Sequence, residues 1–230
     1  MSAKETIRLL SEQIRRLEGG IRPSEAASIP LGAGLRELLP GGLAAGSLVE
    51  LFPREPGAGA WTLALVLARY ACGDCKTLLI ADAERSFYPP AARKFGLDVA
   101  RTVIVRPRRP GEALLALAQS LRCAAIGAAI GAFERLDDRD NRRLQLAAEA
   151  GGAVGILVRP IVALHMPSFA AVRLVLEPLP SLRGRRRVRV ERPGTAVPGL
   201  SGLGVEIDDA TGHVRAFSLL ELAAHSATTA

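Results

Sequence analysis

With 230 residues, 49% of them apolar, the chain has material for one domain with small appendages and a sizeable core. No apolar run reaches the roughly 18 residues that span a bilayer, and the N-terminal stretch MSAKETIRLLSEQIRRLEGG lacks the apolar segment of a signal peptide, so the composition argues against a membrane or secreted protein and a cytoplasmic one is expected. The net charge of +7 is carried almost wholly by arginine, since only Lys4, Lys76 and Lys94 are lysine; a GC-rich coding bias accounts for the arginine excess, which leaves the charge a weak pointer to nucleic acid.

In chain order, Ile7, Leu10, Ile14 and Leu17 recur at spacings of three and four. They predict one apolar helix face, ended by Gly19-Gly20. Residues 21–34 are rich in Pro, Gly and Ser and read as linker. Residues 1–34 thus form an appendage that either folds back on the domain or offers its apolar face to a partner. From 35 to 182, apolar runs alternate with helical patterns. Strands are predicted at 47–52, 77–81, 102–105, 124–129, 153–158 and 171–176, and helices at 60–70, 90–95, 111–120 and 138–150. Strands that are apolar throughout are covered on both faces. Their alternation with helices gives an α/β fold with a doubly wound, mostly parallel sheet. Beyond 182 the period becomes two. RRRVRVER alternates Arg and Val, and GLGVEIDDATGHVRAFSL reads as two strands about a turn. Residues 183–230 therefore add antiparallel strands and a short tail.

The stretch SLVELFPREPGAGAWT has the layout of a phosphate-binding loop: a strand, a glycine turn with Gly57 and Gly59, then a helix. A working loop of this kind follows its last glycine with Lys, which neutralises the β/γ-phosphates, and Ser/Thr, which holds Mg²⁺. Here Ala60 and Trp61 stand in those places, and Thr62 comes one residue late. Pro53 and Pro56 remove two N–H donors from the turn. The second metal-binding element, a carboxylate at the end of a later strand, is also missing, because CAAIGAAIGAFERL has none before Glu134. Arg54 is the one cation near the turn. These losses predict no tight Mg·ATP binding, no enzyme activity and no cofactor.

Several segments resemble RecA. LLIADAERSFYPPAARKFGLD is similar to the RecA strand that ends in Asp-Ala-Glu, RPRRPGEALLALAQSL to the helix that follows, and LLPGGLAAGSLVELF to the entry into its phosphate loop. VRLVLEPLP and RVRVERPGTAVPG are similar to the late RecA strands. The resemblance covers roughly residues 35 to 215. The block RLDDRDNRRLQLAAEAGGAVGILVRP, with PSFAAVRLVLEPLP close behind, resembles ImuA proteins, RecA-like partners in bacterial damage-induced mutagenesis. The resemblance implies an adaptor in translesion DNA synthesis with a degenerate phosphate loop. Its implied partners are an ImuB-type inactive Y-family polymerase homologue, an error-prone replicative-type polymerase and RecA itself. RecA subunits associate through an N-terminal segment, so the resemblance assigns Ile7, Leu10, Ile14 and Leu17 to a partner surface. Glu84 matches the water-activating glutamate of RecA; without a triphosphate its expected role is to close the strand and cap the turn. The connection that binds DNA in RecA is here about ten residues, from Arg159-Pro160, and is too short for that use. Arg192-Pro193-Gly194 replaces the Lys-Asn-Lys of RecA. Two other classes stay open: a SulA-type division inhibitor that binds FtsZ, and a weak DNA-dependent ATPase that uses Glu84.

Other clusters carry less. Arg185, Arg187, Arg189 and Arg192 are candidates for contact with DNA or a partner, on a strand whose Val188 and Val190 point inward; a solvated edge strand is the alternative. No aromatic residues interleave with them, so stacking on bases is not supported. Cys72 and Cys75 lack the second ligand pair of a zinc site, and Cys123 is expected in the core. The three histidines lie far apart and no metal site is expected. Asp137 or Asp138 is expected to cap the helix that follows.

Overall fold

A computed structural model describes residues 27–180, 185–192, 203–208 and 210–219. The apolar face predicted for Ile7, Leu10, Ile14 and Leu17 lies outside the described residues. The elements in order are β1 (Ser28–Ile29), α1 (Ala33–Leu38), β2 (Leu43–Ala44), β3 (Leu48–Pro53), α2 (Ala60–Cys72), β4 (Thr77–Ala81), α3 (Pro89–Lys94) and β5 (Thr102–Val105). They continue with α4 (Pro110–Leu121), β6 (Ile126–Ala132), α5 (Asp138–Gly151), β7 (Val154–Val158), β8 (Val172–Leu179), β9 (Arg185–Glu191), β10 (Leu203–Asp208) and β11 (Val214–Ser218). Among the described residues, nine strands form one sheet in the order β11-β10-β9-β8-β3-β7-β6-β4-β5. The six from β8 to β5 run parallel, and β9, β10 and β11 continue the sheet antiparallel. This is the α/β architecture expected, with the period-two segment where the sheet turns antiparallel.

Strand side chains alternate between two apolar layers. On one face Val49, Leu51, Ile80, Ile130 and Ile156 pack against Leu63 and Leu67 of α2, and the same layer extends under β9–β11 through Val188, Val205 and Ile207 to Leu35 and Leu38 of α1. On the other face Leu48, Leu79, Ala129 and Leu157 pack against Leu117 and Leu121 of α4 and Leu144 of α5. Asp137 caps α5, its carboxylate accepting from Asp140 N–H at 2.7 Å. No helix among the described residues is long and apolar enough to cross a membrane.

Three expectations are corrected. The segment read as linker is folded from Ser28 on: β1 pairs with β2, and Leu31 is buried in the α2-side core. β9 is not an edge strand, since it lies between β8 and β10. Cys123 is exposed, in the turn after α4.

β6 carries one irregularity. Thr77 pairs with Ile126 and Leu78 with Ala128, so Gly127 is an extra residue in a bulge. A Cβ there would sit 2.5 Å from Cys72 Cα and 2.6 Å from Ala71 O, backbone atoms of α2 that cannot rotate away. The bulge lets the end of α2 touch the sheet. Gly127→Ala is expected to destabilise the fold by about 1–3 kcal/mol, read as a lower urea midpoint.

Candidate functional site

The glycine turn joins β3 to α2. Gly57 and Gly59 both have positive φ, +84° and +81°, which a side chain would strain. Gly59 is the N-cap of α2 and supplies no side-chain cap. Two N–H groups of the turn are already used: Arg54 donates to Leu176 O at 2.9 Å and Ala58 to Glu55 O at 3.2 Å. Ala60 and Thr62 are buried in α2, and Trp61 packs half-buried against the core. β9 approaches one side of the turn and brings a second cation, Arg186, to it beside Arg54, while residues 54–57 stay exposed. Arg186 Nη1 donates to Gly57 O at 3.4 Å, and a Cβ on Gly59 would meet Val188 Cγ2 at 3.0 Å and Arg186 Cδ at 3.2 Å. Arg54 points elsewhere, to Glu191 at 3.3 Å and Glu177 at 4.0 Å.

The turn after β4 is closed by Asp82, not Glu84, which corrects the expected capping role. Asp82 Oδ1 accepts from the N–H groups of Ser86 (2.9 Å) and Phe87 (3.2 Å), and its Oδ2 accepts from Arg106 Nε (3.2 Å). Arg85 is held at φ +55° within that turn, and Glu84 is exposed. β6 ends at Ala132, and Phe133 N–H donates to Val158 O at 3.0 Å. Glu134 beyond it is exposed.

The densest polar group is one that the motifs did not single out. Glu50, in the middle of β3, is fully buried. Its Oε1 accepts from Arg159 Nη1 at 3.0 Å and Asn141 Nδ2 at 3.3 Å, and its Oε2 from Arg173 Nε at 2.9 Å. Arg159, the residue after β7, is only 2% exposed and also reaches Leu136 O. Arg173 of β8 donates to Leu164 O at 2.9 Å and stacks over Phe52 at 5.1 Å. One carboxylate thus ties together both neighbours of β3 and the start of α5. A charge inside an otherwise apolar strand was its sequence signal, because such a group is buried only with partners. The connection from Arg159 to Ala171 is fastened by the same group and contains a short 3-10 helix, Ile161–His165.

The arginines of β9 alternate as expected, with Val188 and Val190 inward, but they are matched to carboxylates. Arg187 and Arg215 flank Glu206 in register across β9, β10 and β11. Glu206, whose side chain is 5% exposed, accepts from Arg187 Nε at 2.8 Å and Arg185 Nη1 at 3.1 Å, with Arg215 at 3.7 Å. Burial alone would raise the Glu206 carboxyl, but the Arg187 hydrogen bond and the charges of Arg187, Arg215 and Arg185 outweigh it and hold it below its usual value. Arg189 reaches Glu177 and Glu191 at 3.8 and 3.1 Å, and Arg192, just past the strand, is half-buried. Cys72 is buried, which pushes its thiol up to about 11, and no cluster of metal-ligating side chains occurs among the described residues.

No protein-family model matches the chain, and no curated protein does. Among solved structures, the crystal structure of the RadB recombinase is similar, with a TM-score of 0.60 and 17% identity, over 80% of this chain and 96% of that one. The fold is RecA-like, with antiparallel strands at its C-terminal side.

Glu50→Gln removes half of a buried ion cluster and is expected to cost about 3–5 kcal/mol, whereas Glu191→Gln, in exposed pairs, should cost less than about 1 kcal/mol; urea unfolding of the two variants checks the contrast. For Glu206 the pH dependence adds a sign. A carboxyl held below its unfolded value stabilises the fold above that value, near 4.5, and the contribution is lost on acidification. Glu206→Gln should therefore be less stable than the parent by about 1–3 kcal/mol at neutral pH, with the gap closing as the pH falls below 4.5.

Proposed function

We propose that this chain is a non-catalytic, RecA-like adaptor of the ImuA type in damage-induced mutagenesis. In this reading the fold serves as a body to be gripped by an ImuB-type inactive polymerase homologue, an error-prone replicative-type polymerase and RecA, and holds no nucleotide. The observation that carries it is the glycine turn. Ala60 fills the place of the phosphate-binding lysine, Trp61 that of the Mg²⁺-binding hydroxyl, and the side chains of Val188 and Arg186 crowd Gly59 at the start of α2.

The donor set does not fit a magnesium triphosphate. Two prolines supply no N–H, Ala58 N–H is bonded to Glu55 O, and Arg54 is paired with Glu191. A hydroxyl comes only from Thr62, which is buried within α2. No carboxylate stands at the end of β6. The residue blocks of the ImuA resemblance support the adaptor role; the fold supports the docking body.

Titration calorimetry with Mg·ATP should give no saturable heat at micromolar concentrations. Co-purification with an inactive Y-family polymerase homologue should succeed at low and high salt. Micromolar, magnesium-dependent nucleotide uptake would overturn the reading, and so would inhibition of FtsZ polymerisation in place of polymerase binding.

A further inference from the structure

Two clusters of described arginines differ in how their charge is matched. Those on the outer face of β9–β11 are matched to Glu177, Glu191 and Glu206. Those beside α5 are not. Arg122, Arg139, Arg142 and Arg143 line a surface groove of about 570 Å³, with Leu146 along it. Among the described residues, Arg122, Arg139 and Arg143 form no ion pair, and the groove lining sets four arginines against two aspartates, Asp137 and Asp140.

Arg142 links the groove to the connection between β7 and β8. Arg142 stacks over Phe169 at 5.0 Å, and Phe169 N–H donates to Asn141 Oδ1 at 3.2 Å. This fastens the connection between β7 and β8 to α5. That connection exposes Val162 (75%), Met166 (48%) and Phe169 (39%). It is held by Arg173, whose Nη2 donates to Leu164 O, so these apolar side chains stand on a fixed platform. Exposed apolar groups linked to a groove with an excess of cations suit a ligand that carries both features.

We infer that the α5 groove and the connection between β7 and β8 dock an acidic protein segment that also carries apolar side chains. Its carboxylates would meet Arg139, Arg143 and Arg122, and its apolar residues Leu146, Met166 and Val162. Nucleic acid fits less well. The exposed apolar side chains Leu146, Val162 and Met166 have no counterpart on a phosphate backbone, and among the described residues the aromatic ring beside the groove, Phe169, already has Arg142 stacked on it. A second copy of this chain, with its charge of +7, brings the wrong sign. The inference stands whichever partner the adaptor reading names.

Fluorescence anisotropy on the intact protein tests it. The probe is a labelled amphipathic peptide of Glu, Leu and Ala with leucines at three- and four-residue spacing, alongside a single-stranded oligonucleotide. The peptide should bind in the micromolar range and weaken with salt. Arg139→Glu with Arg143→Glu should lower its affinity by about tenfold or more, and Val162→Ser with Met166→Ser by severalfold, with oligonucleotide binding unchanged. All four positions are exposed, so the urea midpoints should stay at the parent value. Peptide affinity that survives both double variants, no peptide binding at about 1 mM, or a loss confined to the oligonucleotide would each overturn the inference.

Discussion

The arrangement of the sheet around the candidate site depends on a single buried carboxylate. Glu50 stands in β3, whose neighbours β7 and β8 come from the far end of the parallel sequence. Strand pairing alone fixes register weakly between apolar strands. The Glu50 group adds a discrete constraint, because Glu50 and Arg173 are direct cross-strand partners. A slip of one residue would turn Arg173 into the layer of Val49 and Leu51 and leave Glu50 uncompensated. Arg159 repeats the constraint from β7. Replacing such a cluster by apolar side chains can leave stability unchanged, whereas breaking half of it does not. Its contribution is therefore best described as selection of one register.

That register sets where the glycine turn emerges. Arg54 N–H, immediately beyond β3, bonds to Leu176 O of β8, and β8 in turn pairs antiparallel with β9. The side chain of Arg186 reaches Gly57 because the whole row β3-β8-β9 is held in step. An open crevice outside the carboxyl ends of parallel strands is the usual ligand site of such folds. Here the antiparallel extension brings Arg186 of β9 to the edge of that crevice, so the feature that enlarges the sheet also touches the turn.

Much of this was legible in the sequence because it follows from periodicity. The strand and helix positions between 47 and 179 lie within a few residues of expectation, and the alternation of Arg with Val in β9 places Val188 and Val190 in the core. What was not legible depends on contacts between distant segments. Nothing local marks 28–34 as folded; β1 exists because Leu43 and Ala44 pair with it. Asp82 and Glu84 are equally plausible caps by type, and only the path of the turn through Arg85 aims Asp82 at two N–H groups. Cys123 precedes an apolar strand, yet it falls in the turn that brings the chain back to the surface. The role of Glu50 was hinted at by an acid in an apolar run, but its partners lie 91 to 123 residues away.

Local sequence also misplaces the meaning of the charge. A run such as RRRVRVE looks like the most cationic surface of the chain, and by composition it is. Folding sets it in register with acids on β8 and β10, so most of its charge is spent within the sheet. The segment DRDNRRLQL looks balanced because Asp and Arg are mixed along it. On the helix, Arg139 and Arg143 lie four residues apart on one side, and with Arg142 and Arg122 they outnumber the two aspartates, Asp137 and Asp140, that line the same groove. Field strength at a surface follows from which charges are matched locally and not from how many lie in a stretch of chain. On that criterion the groove along α5, where arginines outnumber aspartates and form no ion pair among the described residues, is a better candidate for an electropositive surface than the strand that the sequence singled out.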